Sequence, residues 1–266
     1  MDIFKKTLAP ITDEAWKEIN EQATSVFKNV LSARKFVDVE GPHGLDFGAV
    51  ARGRLHVPEG QEKNPVKFGI HQVHPLIECR IPFTLDIWEL DNSVRGAEDI
   101  ELEPLEKAAR EIALFEEKAI YYGLSEANIK GLREKTEHEI QEFPDDPEKI
   151  TEAVSEGIVR FKNSYIEGPY ALIMNTGKWE KVASYIKGYP LLKQIEQQLL
   201  GGPVIISPFI HDTFLVSKRG GDFRLVLGQD LSIGFNSVQN NDVNLYFMES
   251  FTFMIMDPNA IMMFKK

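Results

Sequence analysis

The sequence predicts an α+β fold with two lobes and a projecting arm, and three observations support this prediction. Amphipathic helical stripes recur along the chain, and long stretches of alternating apolar and polar residues indicate sheet. In addition, two weakly apolar strands flank a polar turn in the first third of the chain. The 266 residues, 43% of them hydrophobic and 27% charged, suffice for one large or two modest domains with their own core.

Three segments have the periodicity of amphipathic helices. The first begins after Thr12, a candidate N-cap, and ends near Arg34. A long helix starts in the acidic run at residues 98–106 and extends toward Gly123, and a third follows the turn FPDDP. Two shorter helices are predicted on either side of the sequence KGYP, the first of them reaching Ile186. Helix and strand alternate between about residues 136 and 222, which indicates a second, mixed lobe.

Sheet is indicated most clearly by three stretches. IPFTLDIWELDN predicts one strand that continues through Ile87 and Trp88, with Trp88 on the side opposite the core. RGGDFRLVLGQDLSIGF has glycines, but they lead into alternating residues and not into a helix, so the stretch is predicted to be strand and not a phosphate-binding loop. DVNLYFMESFTFMIMDP predicts a strand of about fourteen residues, with one core side and one mixed side that could face a partner.

The arm consists of strands predicted around RGRLHV and PVKFGI, joined by the polar tip PEGQEKN. An isolated two-stranded ribbon is only marginally stable in water. The arm is therefore expected to lie on its own domain or on a neighbouring subunit.

Composition argues against several classes of function. The net charge of -11 repels polyphosphate, so no nucleic-acid partner is expected. Cys79 is the only cysteine, which excludes an intrachain disulfide and suits a reducing, cytoplasmic location. The six histidines lack zinc-hydrolase spacing, and neither a G-x-S-x-G motif, a signal peptide nor a membrane span is recognised. No metal site, required cofactor, membrane partner or enzyme active site is predicted.

Several long blocks, taken together and in order, resemble the encapsulins, the linocin-type shell proteins of nanocompartments. They are the first helix, RKFVDVEGP, FTLDIWELDN, IEGPYALIMNT, RGGDFRLVLGQDLSIGF and ESFTF. The resemblance implies the tailed-phage major-capsid-protein fold of the Hong Kong ninety-seven type. Its parts would be residues 1–44 (N-terminal helix and start of the peripheral domain), 45–80 (extended loop, the arm), 81–135 (peripheral domain with the long helix), 136–222 (axial domain) and 223–266 (return to the peripheral domain).

The resemblance further implies an icosahedral shell, with about 60 copies of the chain, that encloses a cargo enzyme. The implied cargo is a ferritin-like protein or a dye-decolourising peroxidase, held through a targeting peptide, which would link the shell to iron storage or oxidative stress. A viral capsid that packages nucleic acid has the same fold and remains the alternative, although the acidic charge favours the shell.

Three sites follow from the resemblance alone. The cargo peptide would bind a groove formed by Phe27, Leu31, Arg34, Asp38, Asp230, Leu231, Ile233 and Phe235. Phe27 and Leu31 could equally be plain core residues, and Arg34 is expected to be a partly solvated charge. A flavin could stack on Trp88, unless Trp88 is simply an exposed interface residue. Arg80 could share that ligand only across subunits, because it lies about 26 Å from Trp88 along one strand. The loop with Lys187, Gly188 and Tyr189 would line a pore at the fivefold axis.

Overall fold

The computed structural model describes residues 3–265. Seven α-helices occur in this part of the chain: α1 (Asp13–Val30), α2 (Ile87–Val94), α3 (Glu103–Tyr122), α4 (Leu132–Lys135), α5 (Pro147–Asn163), α6 (Thr176–Ser184) and α7 (Leu191–Gln198). The strands of the same residues are β1 (Asp38–Glu40), β2 (Ala49–His56), β3 (Ile70–Pro75), β4 (Ile77–Asp86), β5 (Gln141–Glu142), β6 (Tyr170–Met174), β7 (Ile186–Lys187), β8 (Tyr189–Pro190), β9 (Val204–Ile206), β10 (Thr213–Ser217), β11 (Phe223–Gln239), β12 (Asp242–Ile255) and β13 (Ile261–Lys265). The predicted α+β class is confirmed.

The longest strands form a sheet in the order β1-β11-β12-β4, with only β1 and β11 parallel. Residues of α1 and α3 pack onto this sheet in one buried cluster, which includes Ile19, Leu105 and Phe247. The Thr12 side chain caps α1 by accepting a hydrogen bond from Ala15 N, and Gly123 ends α3 with φ 88°, as the sequence predicts. These caps fix where the two helices meet the sheet.

The glycine-containing stretch of the sequence is β11, so the strand prediction is confirmed. Its pairing with β12 shifts register on both sides of Gln229, where the Ser250 hydroxyl accepts a hydrogen bond from the Gln229 N–H. β12 has the predicted fourteen residues. Its supposedly mixed side is nevertheless buried beyond residue 247, because Met248 and Thr252 are at most 1% exposed. That half of β12 is therefore not available to a partner.

A second sheet has the order β5-β13-β10-β6-β9. Four of its strands, β5, β9, β10 and β13, were not predicted from the sequence. β13 pairs antiparallel with β10 and parallel with β5. The C-terminal strand thus joins the sheet of the second lobe, whereas the sequence-based division grouped all of residues 223–266 with the peripheral domain. The strands of this sheet and the first residues of β11 share one hydrophobic cluster.

The arm is the antiparallel pair β2-β3. Its second strand begins at Ile70, later than predicted, and the predicted strand PVKFG is not regular structure. Gln61 organises that segment instead, since its side chain donates hydrogen bonds to Pro58 O and Phe68 O and accepts one from Phe68 N. β4 already starts at Ile77, so the last residues assigned to the arm belong to the main sheet.

Two predicted elements extend too far along the chain, because their ends were not recognised from the sequence. Asp86 ends β4, and its carboxylate caps α2 by accepting hydrogen bonds from Trp88 N and Glu89 N. Trp88 therefore lies in the first turn of a helix and not on the strand. Similarly, α6 ends at Ser184, and Ile186 begins the short strand β7.

Candidate functional site

Three residues predicted for the peptide groove form a partly exposed apolar surface, which we call the groove surface: Phe27, Leu231 and Phe235. Phe27 on α1 packs edge-on against Phe247, with ring centroids 5.4 Å apart. Leu231 and Phe235 on β11 border the same buried cluster. All three keep part of their side chain open to solvent. An apolar segment of another chain could bury that remaining area.

Two other predicted groove residues are already closed off within the chain. Leu31 is 7% exposed and packs with Val30 and Ala113, and Ile233 is 3% exposed in the core beneath the main sheet. Leu31 is therefore a plain core residue, as the alternative interpretation had it, whereas Phe27 remains partly accessible. Phe209, which no sequence signal marked, also packs partly buried beside Leu31.

Arg34 is the centre of a largely buried ion-pair network. Its guanidinium donates to Glu116 at 2.5 to 3.1 Å, to Glu249 at 2.6 Å and to Asp230 at 2.9 Å. Its side chain is 18% exposed, and those of Glu116 and Glu249 are 0% exposed. Arg34 thus keeps a partly solvated ion pair with Asp230, whose side chain is 44% exposed, while α3 and β12 bring two buried carboxylates to it.

The charges of this network shift the pKa values of its members. Burial lowers the pKa of Arg34, but hydrogen bonds and charge from Glu116, with further charge from Glu249 and Asp230, raise it well above the usual value. Burial, and then the neighbouring Glu116, raise the pKa of Glu249 well above its usual range. Glu249 Oε2 has no hydrogen-bond partner among the described residues. One guanidinium thus holds two buried carboxyl groups together, and the raised pKa of Glu249 reflects its burial and the repulsion between the two groups.

The sequence contains a signal for the buried position of Glu249. Glu249 occupies an inward position of the alternating strand β12, between Phe247 and Phe251. A charged residue at such a position needs a buried partner. Glu116 lies on the buried stripe of α3 in the same way. The partner, Arg34, could not be identified without the tertiary structure.

Next to this network, Glu117 is buried against the end of α1. Its carboxylate accepts hydrogen bonds from the Ser32 hydroxyl and from Ala33 N, and Ser32 Oγ lies 2.8 Å from the Tyr121 hydroxyl oxygen. Burial raises the pKa of Glu117 to about 7. This group therefore ionises near neutral pH in the folded chain.

We expect stability to fall as the pH rises from about 4.5 to about 7. In that window the folded state holds a proton on Glu117 that the unfolded state releases, and the loss is roughly 3 kcal/mol. Glu117→Gln keeps the hydrogen-bonding geometry and removes the titration. Thermal unfolding of the purified protein at pH 5.5 and 7.5 should show a clearly smaller pH dependence in the variant. An unchanged slope would contradict this assignment.

The two acidic groove residues lie apart from each other. Asp230 is at the edge of the groove surface, 44% exposed, and accepts hydrogen bonds from Arg34 and from Leu231 N. Asp38 on β1 lies opposite Arg224 of β11. Arg224 precedes Asp230 by six residues, which is about 20 Å along the strand. Its carboxylate accepts a hydrogen bond from Gly221 N. The structure therefore does not bring Asp38 to the groove surface.

The N-terminal segment adjoins the groove surface at its far end. Phe235 N donates to Phe4 O at 2.8 Å, and the Tyr246 hydroxyl donates to Ile3 O at 3.2 Å. The segment consequently covers the edge of β11 at Phe235, so an additional peptide there would meet this segment.

The proposed flavin residues do not meet within the described chain. Trp88 is 62% exposed on α2. Arg80, on β4, stacks 5.3 Å above the ring of Tyr246 and forms a 2.7 Å ion pair with Glu78. No contact joins Trp88 and Arg80 among these residues.

The predicted pore residues form a tight hairpin. β7 and β8 pair antiparallel, Lys187 opposite Tyr189, with Gly188 at φ 76° between them. This left-handed conformation favours glycine, so Gly188 is needed for the turn. Tyr189 is 46% exposed and Ile186 is 69% exposed, so this hairpin projects from the second lobe.

The described residues offer neither a reactive thiol nor a metal-binding cluster. Burial raises the pKa of the Cys79 thiol to about 12, which makes it a poor nucleophile. Within residues 3–265, no group of three or more His, Cys, Asp or Glu side chains is arranged to hold a metal ion. Nor does any helix in that range have the length and apolar character needed to cross a bilayer.

Comparison with known proteins connects this geometry to a family. Residues 1–252 match the family model described as "Encapsulating protein for peroxidase". A type 1 encapsulin shell protein of Rhodococcus erythropolis is 38% identical over 98% of both chains. Among solved structures, the virus-like particle of Pyrococcus furiosus aligns with a TM-score of 0.65 at 19% identity, over 94% of this chain and 98% of that one.

The capsid protein of Myoviridae phage XM1 also aligns, with a TM-score of 0.57 at 9% identity, over 88% of this chain and 90% of that one. These solved structures show that the two-sheet architecture with its arm is the tailed-phage capsid fold predicted above. The family model and the curated relative together cover almost the whole chain, and that relative is named as a shell protein and not as an enzyme. The chain therefore belongs to the encapsulin family.

Proposed function

We propose that this chain is the structural subunit of a closed icosahedral nanocompartment that encloses a cargo enzyme through a targeting peptide. The observation that carries the proposal is the match to the encapsulin family along nearly the entire chain. The capsid fold supports the assembly, because capsid subunits of this fold pack around closed symmetry axes.

The arm gives independent support for assembly. Val66, Phe68 and Ile70 are 75%, 54% and 56% exposed in the isolated chain. Contiguous exposed apolar residues usually mark an interaction surface. Neighbouring subunits would bury these side chains, and a closed shell would do so for every copy.

We divide the chain for this purpose into an arm, a peripheral domain and an axial domain. The peripheral domain takes α1, α3 and the main sheet, and the axial domain takes residues 136–222 together with β13. The hairpin at Gly188 lies in the axial domain, where it would line the fivefold pore. The strand pairing of β13 supports its transfer to the axial domain.

Cargo binding is proposed at the groove surface. Phe27, Leu231 and Phe235 offer open apolar area, and the half-exposed Asp230 can accept a hydrogen bond or a positive charge from the peptide. The family description favours a peroxidase cargo, and a ferritin-like protein is the second candidate. A role in iron storage or oxidative stress would come from that cargo.

Protein cargo is favoured over nucleic acid. The net charge is -11, and the relative at 38% identity is a shell protein, whereas the phage capsid proteins share only the fold at low identity. A single cysteine supports a cytoplasmic location. Trp88, exposed on α2, remains our proposed flavin contact, and the shell itself needs no cofactor.

Mass measurement of the purified particle tests the assembly. About 60 chains of 30.2 kDa would give a particle of about 1.8 MDa. Particles from the native host should also have the absorbance ratio of protein at 260 and 280 nm, with an enzyme co-purifying. A stable monomer or dimer would refute the shell, and a nucleic-acid spectrum that resists nuclease treatment would favour the viral alternative.

A further inference from the structure

A strongly basic cleft separates the arm from the body of the chain. It has a volume of about 700 Å³ and lies between β2 and β3 on one side and the ends of β11, β12 and the α3–α4 connection on the other. Its apolar floor includes Phe253 and Met254. Its walls carry five cations: Arg52, Arg54, Lys130, Lys135 and Arg224.

These cations are only partly neutralised. Lys130 pairs with Glu134 and Arg224 pairs with Glu40. Arg52, Arg54 and Lys135 form no ion pair with any residue that the structure describes. None of the described residues that line the cleft is acidic. Burial, followed by the charge of Arg52, lowers the pKa of His74 in the same wall. A cleft of this kind in a chain of net charge -11 attracts a carboxylate-rich occupant.

The chain itself presents a matching segment between α2 and α3. Ile100 and Leu102 anchor this segment to the core, and Glu98, Asp99 and Glu101 are exposed. Glu98 and Asp99 make no ion pair with a described residue. They precede α3 by four or five residues, which is too far to stabilise its first turn strongly.

The cleft of the same molecule is out of reach of this segment. α3 has 20 residues, so its two ends are about 30 Å apart. The acidic segment lies at the N-terminal end of α3, and Lys130 lies close to Gly123 at the other end, since Gly131 N is 3.0 Å from the position that a Gly123 Cβ would take. Opposite charges at opposite ends of one subunit suit a head-to-tail contact between copies, which forms a ring where the rotation between them closes.

We propose that residues 98–101 of one subunit bind in the basic cleft of a neighbouring subunit. This inference rests on the shell assembly proposed above and names one of its contacts. Carboxylates of Glu98 and Asp99 would pair with Arg52, Arg54 and Lys135, whose charges are otherwise unsatisfied. Because the arm forms one wall of the cleft, the contact would also fix the angle at which the arm leaves the body.

A charge swap tests this contact. Full-length chains dissociated in guanidinium are diluted into buffer of 0.15 M ionic strength, and particle formation is followed by light scattering. We expect that Arg52→Glu with Arg54→Glu, and separately Glu98→Arg with Asp99→Arg, raise the chain concentration for half-maximal assembly about tenfold or more. The four substitutions combined should restore assembly close to wild type.

The control Lys149→Glu with Lys162→Glu makes the same change of net charge as the cleft reversal, on exposed positions of α5, and should assemble normally. Far-UV circular dichroism checks folding. If the cleft reversal misfolds, Arg54→Ala with Lys135→Ala should raise the chain concentration for half-maximal assembly in the same direction but by less.

Unimpaired assembly of both reversals, or no rescue in the combined variant, overturns the proposal. Impaired assembly of the cleft reversal alone also overturns the proposal, because the cleft would then bind a small anion and not residues 98–101. Wild-type chains that never form particles would instead refute the shell.

Discussion

Replacing Arg34 with alanine is expected to lower the free energy of unfolding by about 3–5 kcal/mol, because it leaves two buried carboxyl groups without their cation. Glu116 and Glu249 are both 0% exposed and depend on this one guanidinium. The deficit should be largest at alkaline pH. It should shrink as the pH falls, because protonation then removes the uncompensated charges.

Guanidinium denaturation followed by circular dichroism measures this effect, and Arg224→Ala is its matched control. Arg224 forms a two-pronged ion pair with Glu40, but the two side chains are 31% and 37% exposed. Such a pair contributes only about 0–1 kcal/mol. If the two alanine variants are equally stable, burial of the Arg34 network has no energetic consequence and the interpretation fails.

Leu231→Asp is expected to weaken cargo-peptide binding by about 3 kcal/mol, roughly 150-fold in affinity. The substitution removes apolar area from the groove surface and adds a carboxylate that the bound peptide would have to desolvate. Leu31 and Ile233 are less suitable targets, since both are buried within the subunit and their substitution would disturb folding. Leu231 is only partly buried, so shells of the variant should still form.

The probe is a monomeric fluorescent protein that carries one copy of a peroxidase targeting peptide. A parallel experiment uses the targeting peptide of a ferritin-like cargo. A monomeric probe is needed because an oligomeric cargo with several peptides can remain bound through avidity. Val159→Asp is the control, since Val159 is 56% exposed on α5, away from the groove surface. Equal loading of wild-type and Leu231→Asp shells, intact by electron microscopy, would move the cargo site to another surface.

The elements that the sequence predicts well are those whose burial pattern is periodic. α1, α3 and α5 bury one stripe and carry recognisable caps, and β12 alternates between buried and more exposed residues as far as Phe247. β10 and most of β13 are buried on both faces, and β9 is only three residues long. Short, uniformly apolar strands lack the alternation that distinguishes a strand from a loop or helix segment.

Site prediction had a different limit. The resemblance directed attention to Phe27 and Leu231, which the structure leaves partly exposed. Exposure depends on which neighbours close over a residue, so Leu31 and Ile233 could not be told from accessible positions. At Trp88, a local signal was available: Asp86 followed by Glu89 three residues later is a helix-capping pattern. The strong alternation of the preceding strand masked it.

The position of β13 has a consequence for the order of events during synthesis. β13 lies between β5 and β10, and its Phe264 pairs with Gln141, more than a hundred residues earlier. The second lobe cannot complete its sheet until residues 261–265 have left the ribosome, although the rest of that lobe emerges much sooner. We therefore expect the second lobe of a nascent chain to reach its final packing only after residues 261–265 have been translated.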